Sequence, residues 1–258
     1  MTDLYADPDN VEGTTYGKRW RRHEWSQMVE DLATDSTETQ RVVMAVHGGG
    51  IEAGTSEIAL AAAGYHPATL IPVIDGRGLH DFWIFEGLLP NGNGDLHVTA
   101  ANYNEPIATE LVQNARRCMS LHGCSDTQAK VSEAQPLGII QIGGRDFELR
   151  TFVLEELTAV GIPAEITTDR DLLGEDPANI GNQTQLGGCV QLEMGRRYRA
   201  SLFGTDTRPR RKHTTNAQFW LLVGALRKAM SKASIGNPGA IKLSYMIVQP
   251  GGPELPAW

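Results

Sequence analysis

The chain has 258 residues and 41% hydrophobic content, ordinary for a globular protein and sufficient for one sizeable core. Its formal net charge of −8 argues against a general nucleic-acid binder. With no run of about 18 apolar residues there is no transmembrane helix. Three cysteines, Cys118, Cys124 and Cys189, lacking any C-x-x-C spacing, point to reduced, partly buried thiols rather than a disulfide scaffold.

Residues 1–35 are polar and turn-rich and read as an N-terminal extension, with a short helix around Trp20–Leu32 anchored by Trp20 and Trp25. Residues 36–249 read as the main domain and 250–258 as a loose tail. Val42-Val43-Met44-Ala45-Val46 is a buried strand. A glycine-rich turn, His47-Gly48-Gly49-Gly50-Ile51-Glu52, leads to a helix through Ile58–Ala63 that Gly64 stops. Asp81–Phe85 and Leu96–Thr99 flank Pro90-Asn91-Gly92-Asn93-Gly94, which predicts a hairpin. Glu105–Arg117 has helical spacing, with Ile107, Leu111 and Ala115 on one face and Pro106 in the first turn. Arg117–Cys124 is a short strand carrying His122-Gly123. Gly138–Ile142 is another strand, followed by a helix over roughly Asp146–Val160 and extended structure at Ile162–Ile166. Asp169–Gly187 lacks apolar periodicity, and a loop this long predicts an active-site wall. Val190–Met194 alternates and re-enters the sheet, and Thr214–Ala233 is a late amphipathic helix. The alternation predicts an α/β fold, a single three-layer αβα domain with a mixed central β-sheet.

His47 and Glu52 share a turn at the carboxyl end of a strand, where open α/β sheets place ligands. Neutral imidazole and carboxylate suit a catalytic zinc, which takes three protein ligands and keeps one position open. A plain strand-to-helix turn with a helix-start carboxylate is the competing explanation. His122 repeats the layout at a second strand end and makes a His-Glu-His set. His97 is its rival as third ligand. Glu86 and His97 could instead orient a ligand imidazole, or be satisfied polar residues of the core. Cys124 is set aside, since closely spaced ligands on one short loop rarely fit a tetrahedron. Glu57, one helical turn on, faces away from Glu52 and reads as structural.

The order of these motifs carries a resemblance. His47-Gly48-Gly49-Gly50-Ile51-Glu52, Glu57-Ile58-Ala59, Phe85-Glu86-Gly87 and Leu96-His97-Val98-Thr99 are followed by Asn104-Glu105-Pro106, Leu121-His122-Gly123-Cys124 and Ile142-Gly143-Gly144-Arg145-Asp146. Asn179-Ile180 and Gly188-Cys189-Val190-Gln191-Leu192-Glu193 close the series. Together they resemble the phage-type poly-γ-glutamate hydrolase family over most of Arg41–Arg199. The resemblance implies a zinc peptidase of carboxypeptidase-A-like fold that cuts γ-glutamyl bonds, with Zn²⁺ on His47, Glu52 and His122. It also implies that Glu193, at the end of its strand, is the general base; a surface ion pair with Arg196 or Arg197 is the competing role. The family usually has Asn-Arg after its Asn-Ile, whereas this chain has Asn182-Gln183, so a substrate contact by arginine there does not carry over.

Substrate carboxylates favour arginine, whose planar guanidinium meets them with two parallel hydrogen bonds. Arg145, Arg196 and Arg199 are expected in that role, with Asn179. A chain of net charge −8 needs a local basic strip to hold polyglutamate, and Arg196–Arg199 and Arg208–His213 are the two available. Two other functions remain open: a related zinc amidohydrolase or carboxypeptidase on a small acidic N-acyl substrate, and a non-catalytic phage replication-associated protein. A monomer is the default expectation, with neither nucleic acid nor membrane as partner. Met1–Asp7 lacks the basic and apolar regions of a secretory signal, so the expected location is cytoplasmic as synthesised, with host lysis as the route out.

Overall fold

Apolar residues alternate in two sets along the strands, and each set is covered by helices. The computed structural model describes residues 1–22 and 40–233. It begins with α1 (Thr2–Ala6), β1 (Tyr16–Arg21), β2 (Arg41–Gly49), α2 (Thr55–Ala62) and β3 (Asp81–Gly87). There follow α3 (Pro106–Asn114), β4 (Arg117–Cys124), β5 (Ile140–Gly143), α4 (Phe147–Ala159) and β6 (Ala164–Ile166). The last elements are β7 (Cys189–Gly195), α5 (Arg196–Ser201), α6 (Arg208–Arg211) and α7 (Ala217–Lys232).

The strands form one mixed sheet in the order β1-β3-β2-β4-β7-β5-β6. β3, β2, β4 and β7 run parallel, while β1 is antiparallel to β3 and β5 to β7. On one face Val43, Ala45, Ile84, Met119, Leu121, Val190 and Leu192 pack with the apolar sides of α2, α4 and α7. On the other, Val42, Met44, Val46, Trp83, Phe85, Cys118 and Cys189 pack with residues of α1 and α3. Because both faces are covered, β2, β3 and β7 are buried at every position, as parallel strands commonly are. This is the expected three-layer αβα arrangement. All three cysteines are free and buried.

Caps and buried ion pairs fix the helices. Glu105 accepts a hydrogen bond from Ala108 N at 2.7 Å with Pro106 in the first turn of α3, and Asp146 accepts from Leu149 N at 3.0 Å to cap α4. Asp146 also takes two bonds from the buried Arg117, at 2.7 and 2.6 Å. Arg227 of α7 is 1% exposed and reaches Asp75 through two nitrogens at 2.7 and 2.6 Å, tying the last helix to the loop before β3.

Two local expectations are corrected. Trp20 lies in β1, paired opposite Trp83, and not in a helix, so the segment read as an extension supplies the edge strand of the sheet. The rest of that expected helix, residues 23–32, lies outside the described residues, as do the expected tail and the last residues of the expected domain, 234–249. The hairpin at 90–94 is absent: residues 93–96 form a 3₁₀ turn and 97–99 are irregular. β3 already has β1 on one edge and β2 on the other, so Leu96–Thr99 has no edge to join. Asn93 serves the turn instead, accepting from Leu89 N at 3.0 Å and donating to Leu89 O at 2.8 Å.

Candidate metal centre

Strand register brings the site together. β4 and β7 pair so that His122 stands opposite Glu193 and Ser120 opposite Gln191, all on one face. In β2, strict alternation after Val46 would send His47 to the opposite face. The pairing of β2 with β3 slips between Ala45 and Gly48, and such a bulge re-aims a side chain. Beyond it the His47 ring meets the His122 ring edge-on, centroids 5.1 Å apart. Gly49 takes φ +67°, and a Cβ there would sit 2.5 Å from Gly87 O. Only glycine fits that position.

Glu52 is the hub. Its Oε1 lies 3.0 Å from His47 Nδ1 and 3.5 Å from His97 Nε2. Its Oε2 accepts the Gly123 N–H at 2.8 Å and lies 3.9 Å from His122 Nδ1. The outer nitrogens of the two strand histidines are also engaged. His47 Nε2–H donates to Val98 O at 2.8 Å, and His122 Nε2 lies 2.8 Å from Ser120 Oγ. That leaves Nδ1 of both His47 and His122 turned toward Glu52, the inward-facing ring nitrogen that a metal would take while the outer one is held by a protein partner. Two imidazole nitrogens and a carboxylate oxygen facing one another in a buried wall are the nitrogen and oxygen donors that zinc takes, so the donor set fits zinc.

The electrostatics agree. Burial opposes charge on Glu52, yet the adjacent His47, then His97 and His122, hold its carboxyl well below the usual range. Burial pulls His122 down to about 4, against the pull of Glu52, so the ring is neutral at pH 7 and able to ligate. The Glu52 contact raises His97 against its partial burial. Glu193 is 6% exposed; burial first, then the Glu52 charge, push its carboxyl well above the usual range. Its Oε1 accepts from Gln191 Nε2 at 2.9 Å. Raised carboxyls of this kind suit proton transfer near neutral pH.

A cavity of about 490 Å³ opens over the cluster, with His47, Glu52, His97, His122 and Glu193 in its wall. Of the other expected site residues, Asn179 lines it, but its amide is committed to Gln191 Oε1 at 2.9 Å and to Gly181 N at 3.0 Å. Three arginines expected at substrate do not line it. Arg196 pairs with Asp206 at 2.5 Å on the surface, and Arg145 packs its backbone against Gly188. Arg199 is buried behind the site, donating to Met194 O at 3.0 Å and Ala53 O at 2.7 Å. Tertiary packing turns Arg199 inward, away from the surface where Arg196 lies. Glu86 is also elsewhere, paired with Arg19 at 2.7 Å on a separate cavity of about 250 Å³. Glu57 pairs with Arg211 at 3.2 Å and is structural.

The tightest ligand-capable group among the described residues is His47, Glu52 and His97, with one donor atom each within 4.8 Å of the others. The His97 ring stacks on that of His47, centroids 3.8 Å apart. The sequence reading missed Arg170, the one lysine or arginine among the residues that line the cavity. It sits at the start of the 169–187 loop, whose first half does form a wall of the cavity. The loop's length was a signal for the wall, but nothing marked Arg170 within it.

Comparison with known proteins identifies relatives of the whole domain. The family model for poly-gamma-glutamate hydrolase matches residues 23–225. YndL of Bacillus subtilis (strain 168) is 32% identical over 190 residues, covering 73% of this chain and 66% of its own length. The SPbeta prophage-derived YoqZ of the same strain is 29% identical over 208 residues, with 80% and 68% covered. The chain thus spans about two thirds of the length of these relatives. Among solved structures, a bacteriophage poly-gamma-glutamate hydrolase superposes with a TM-score of 0.70 at 25% identity, covering 88% of this chain and 93% of that one. A zinc-free form of YndL gives 0.67 at 29% identity, covering 86% and 92%. The chain belongs to the poly-gamma-glutamate hydrolase family.

Proposed function

We propose that this protein is a zinc-dependent hydrolase of the γ-glutamyl amide bonds of poly-γ-glutamate, with His47, Glu52 and His122 as zinc ligands and Glu193 as general base. The observation that carries the reading is the convergence of His47 and His122, their outer nitrogens held by Val98 O and Ser120 Oγ, on Glu52, with Glu193 in the same cavity wall. A zinc ion on these ligands supplies Lewis acidity toward the scissile carbonyl and toward a water beside it. His122 is preferred over His97 because it is fully enclosed, neutral and braced on its far side. His97, on an irregular segment with its side chain 39% exposed, steadies Glu52 from the open side of the cavity.

Glu193 takes a proton from the attacking water as the new C–O bond forms. It then returns that proton to the leaving nitrogen as the C–N bond breaks. Gln191 Nε2–H holds the Glu193 carboxylate in place, and Asn179 Nδ2–H holds Gln191 in turn. Arg199, fixed behind Glu52 and Glu193, offsets part of their charge without meeting the substrate. The test is zinc-loaded protein on poly-γ-glutamate followed by chain-length analysis. Glu193→Gln should retain zinc and lose roughly 10²–10⁴ in kcat. Turnover within a few-fold of wild type would remove Glu193 from the mechanism.

A further inference from the structure

The register that sets His122 against Glu193 continues beyond β7. Glu193 pairs opposite Gln141 of β5, and Gln141 opposite Glu165 of β6. His122, Glu193, Gln141 and Glu165 therefore form one polar row across four neighbouring strands. At about 4.8 Å per strand, Gln141 stands roughly 10 Å from His122. A second cavity, of about 270 Å³, opens at that end of the row, lined by Thr127, Gln128, Lys130, Gln141, Thr168 and Asp169. Gln128 lines both this cavity and the one over the metal cluster, and Asp169 of the second is followed in the chain by Arg170 of the first. The two cavities adjoin.

Their chemistry differs. The wall of the first is rich in carboxylates, with Asp171, Glu175 and Asp176 beside Glu52 and Glu193. The second holds a single carboxylate, Asp169, which accepts from Asp171 N at 3.0 Å, among a set of donors. Gln128 Oε1 is taken by Ser125 N at 3.1 Å and Ser125 Oγ at 2.8 Å, which leaves its Nε2–H₂ to donate. Gln141 is 1% exposed, and its buried Nε2 makes no well-formed hydrogen bond, although it approaches the Glu165 carboxylate closely enough to help hold that group below its usual range. A buried amide donor left unmade costs roughly 1–3 kcal/mol, and a ligand acceptor would relieve it. Lys130 places its ammonium at the rim, paired with Glu165, and the Thr127 and Thr168 hydroxyls complete the lining.

Resting on the proposed hydrolase function, we infer that this second cavity is a subsite for a pendant α-carboxylate of the γ-linked chain, one or more residues away from the scissile bond. Every residue of a γ-linked polyglutamate chain carries such a carboxylate, and the scissile amide itself sits over the metal cluster. The polymer then crosses the strand ends along the row from His122 toward Lys130. Chains long enough to reach Gln141 and Lys130 are bound better than a γ-glutamyl dipeptide.

The test is the ratio of kcat/KM for poly-γ-glutamate to that for γ-glutamyl-glutamate, measured on zinc-loaded protein. Lys130 has φ +56°, so Lys130→Gly removes the ammonium while relieving a left-handed backbone and should fold at least as well as wild type. It should lower the ratio roughly two- to fivefold, the worth of one exposed ion pair. Lys130→Glu should lower it roughly tenfold, since attraction becomes repulsion. Gln141→Leu, which replaces a donor without a well-formed hydrogen bond by an apolar group, should keep stability and lower the ratio by a few-fold. An unchanged ratio in Lys130→Glu overturns the subsite while leaving the hydrolase reading intact. If wild type cuts neither substrate, that reading fails. The subsite is then judged by calorimetric titration of γ-linked tetraglutamate into wild type and Lys130→Glu: an equal Kd, or no binding to wild type, overturns it.

Discussion

Gly123→Ala is the most searching perturbation of the link between fold and metal centre. Gly123 does not have a left-handed φ, so the cost of a methyl group there is contact alone. A Cβ built on it falls 2.4 Å from Arg199 Cζ and 2.5 Å from one of its terminal nitrogens. Nonbonded carbons need about 3.5–4.0 Å, so the guanidinium must retreat by roughly 1 Å. It is 4% exposed and pinned by Met194 O at 3.0 Å and Ala53 O at 2.7 Å. A retreat of that size sacrifices at least one of the two. A hydrogen bond to a charged group contributes about 1.5–3 kcal/mol, and overpacking typically costs about 1–3 kcal/mol. The expected loss is therefore about 2–3 kcal/mol, a fall in Tm of roughly 5–10 °C for a chain of this size.

A second consequence follows from the Gly123 N–H, which holds Glu52 Oε2 at 2.8 Å. If the backbone shifts with the clash, the proposed ligand loses its brace, and zinc affinity should fall roughly 10–100-fold, as it does when outer partners of a ligand are lost. Urea unfolding of the metal-free protein reads the first effect and chelator competition reads the second. The control is the same substitution in an Arg199→Ala background. There the obstacle is gone, and the cost of Gly123→Ala should shrink to within about 0.5 kcal/mol. A Gly123→Ala protein with wild-type unfolding midpoint and wild-type zinc affinity would refute the packing argument and the role given to Arg199 together.

On the proposed ligand set, His122→Ala should leave the protein without stoichiometric zinc, while His97→Ala should keep the metal and weaken it by about 10–100-fold; elemental analysis showing the reverse pattern would exchange the two residues. Asp75→Asn leaves the buried Arg227 one side-chain acceptor, the amide oxygen, in place of two and removes the opposing charge, beside its carbonyl contacts to Ala62 and Gly78, and should cost about 1.5–3 kcal/mol in unfolding free energy. The Arg227 hydrogen bonds hold the Asp75 carboxyl far below its ordinary range despite burial. Its contribution is thus fully present above pH ~4 and is lost as pH falls toward the folded value. Urea midpoints below pH 4 should drop less steeply in Asp75→Asn than in wild type, and superimposable acid profiles would contradict the pair's role.

What could be read from the chain follows from how local each cause is. The apolar run at Val42–Val46, the Gly64 stop after α2, the Pro106 start of α3 and the Asp146 start of α4 are decided within a turn or two of sequence, and all are found. The hairpin at 90–94 failed because its turn residues are genuine but the pairing partner is a tertiary matter. β1, joining from the N-terminal side, had already taken the free edge of β3. Trp20 was misplaced for the same reason: six residues with no clear period become a strand only when Trp83 stands opposite. That His47, Glu52, His122 and Glu193 meet in one cavity was readable from three strand ends and the glycine-rich turn after β2. The arginines were not, because a charge beside a strand end can serve a ligand or the backbone. Arg199 serves the backbone carbonyls of Met194 and Ala53.

The distribution of charge gives the site a direction. With net charge −8 and several carboxylates in the wall over the metal cluster, a polyanion gains little from long-range attraction. Some of that wall is neutralised in place: Arg150 pairs with Glu175 at 3.1 Å, and Arg199 backs Glu52 and Glu193. A dication on the proposed ligands offsets more of it. The remaining asymmetry is lateral. Asp171 and Asp176 belong to the 169–187 loop and outnumber its one cation in the wall, Arg170, whereas Gln128, Lys130 and Gln141 lie across the row toward β6 with one carboxylate, Asp169, beside them. On the proposed subsite, a γ-linked chain whose amide occupies the metal cluster has pendant carboxylates that are repelled by the first set and accepted by the second. Charge repulsion at these distances is felt within a Debye length of about 8 Å at physiological ionic strength, comparable with the spacing of two strands. If the proposed subsite holds, orientation of the polymer is set by which neighbours lie within one such length of the scissile bond, and the overall charge of the protein has little part in it.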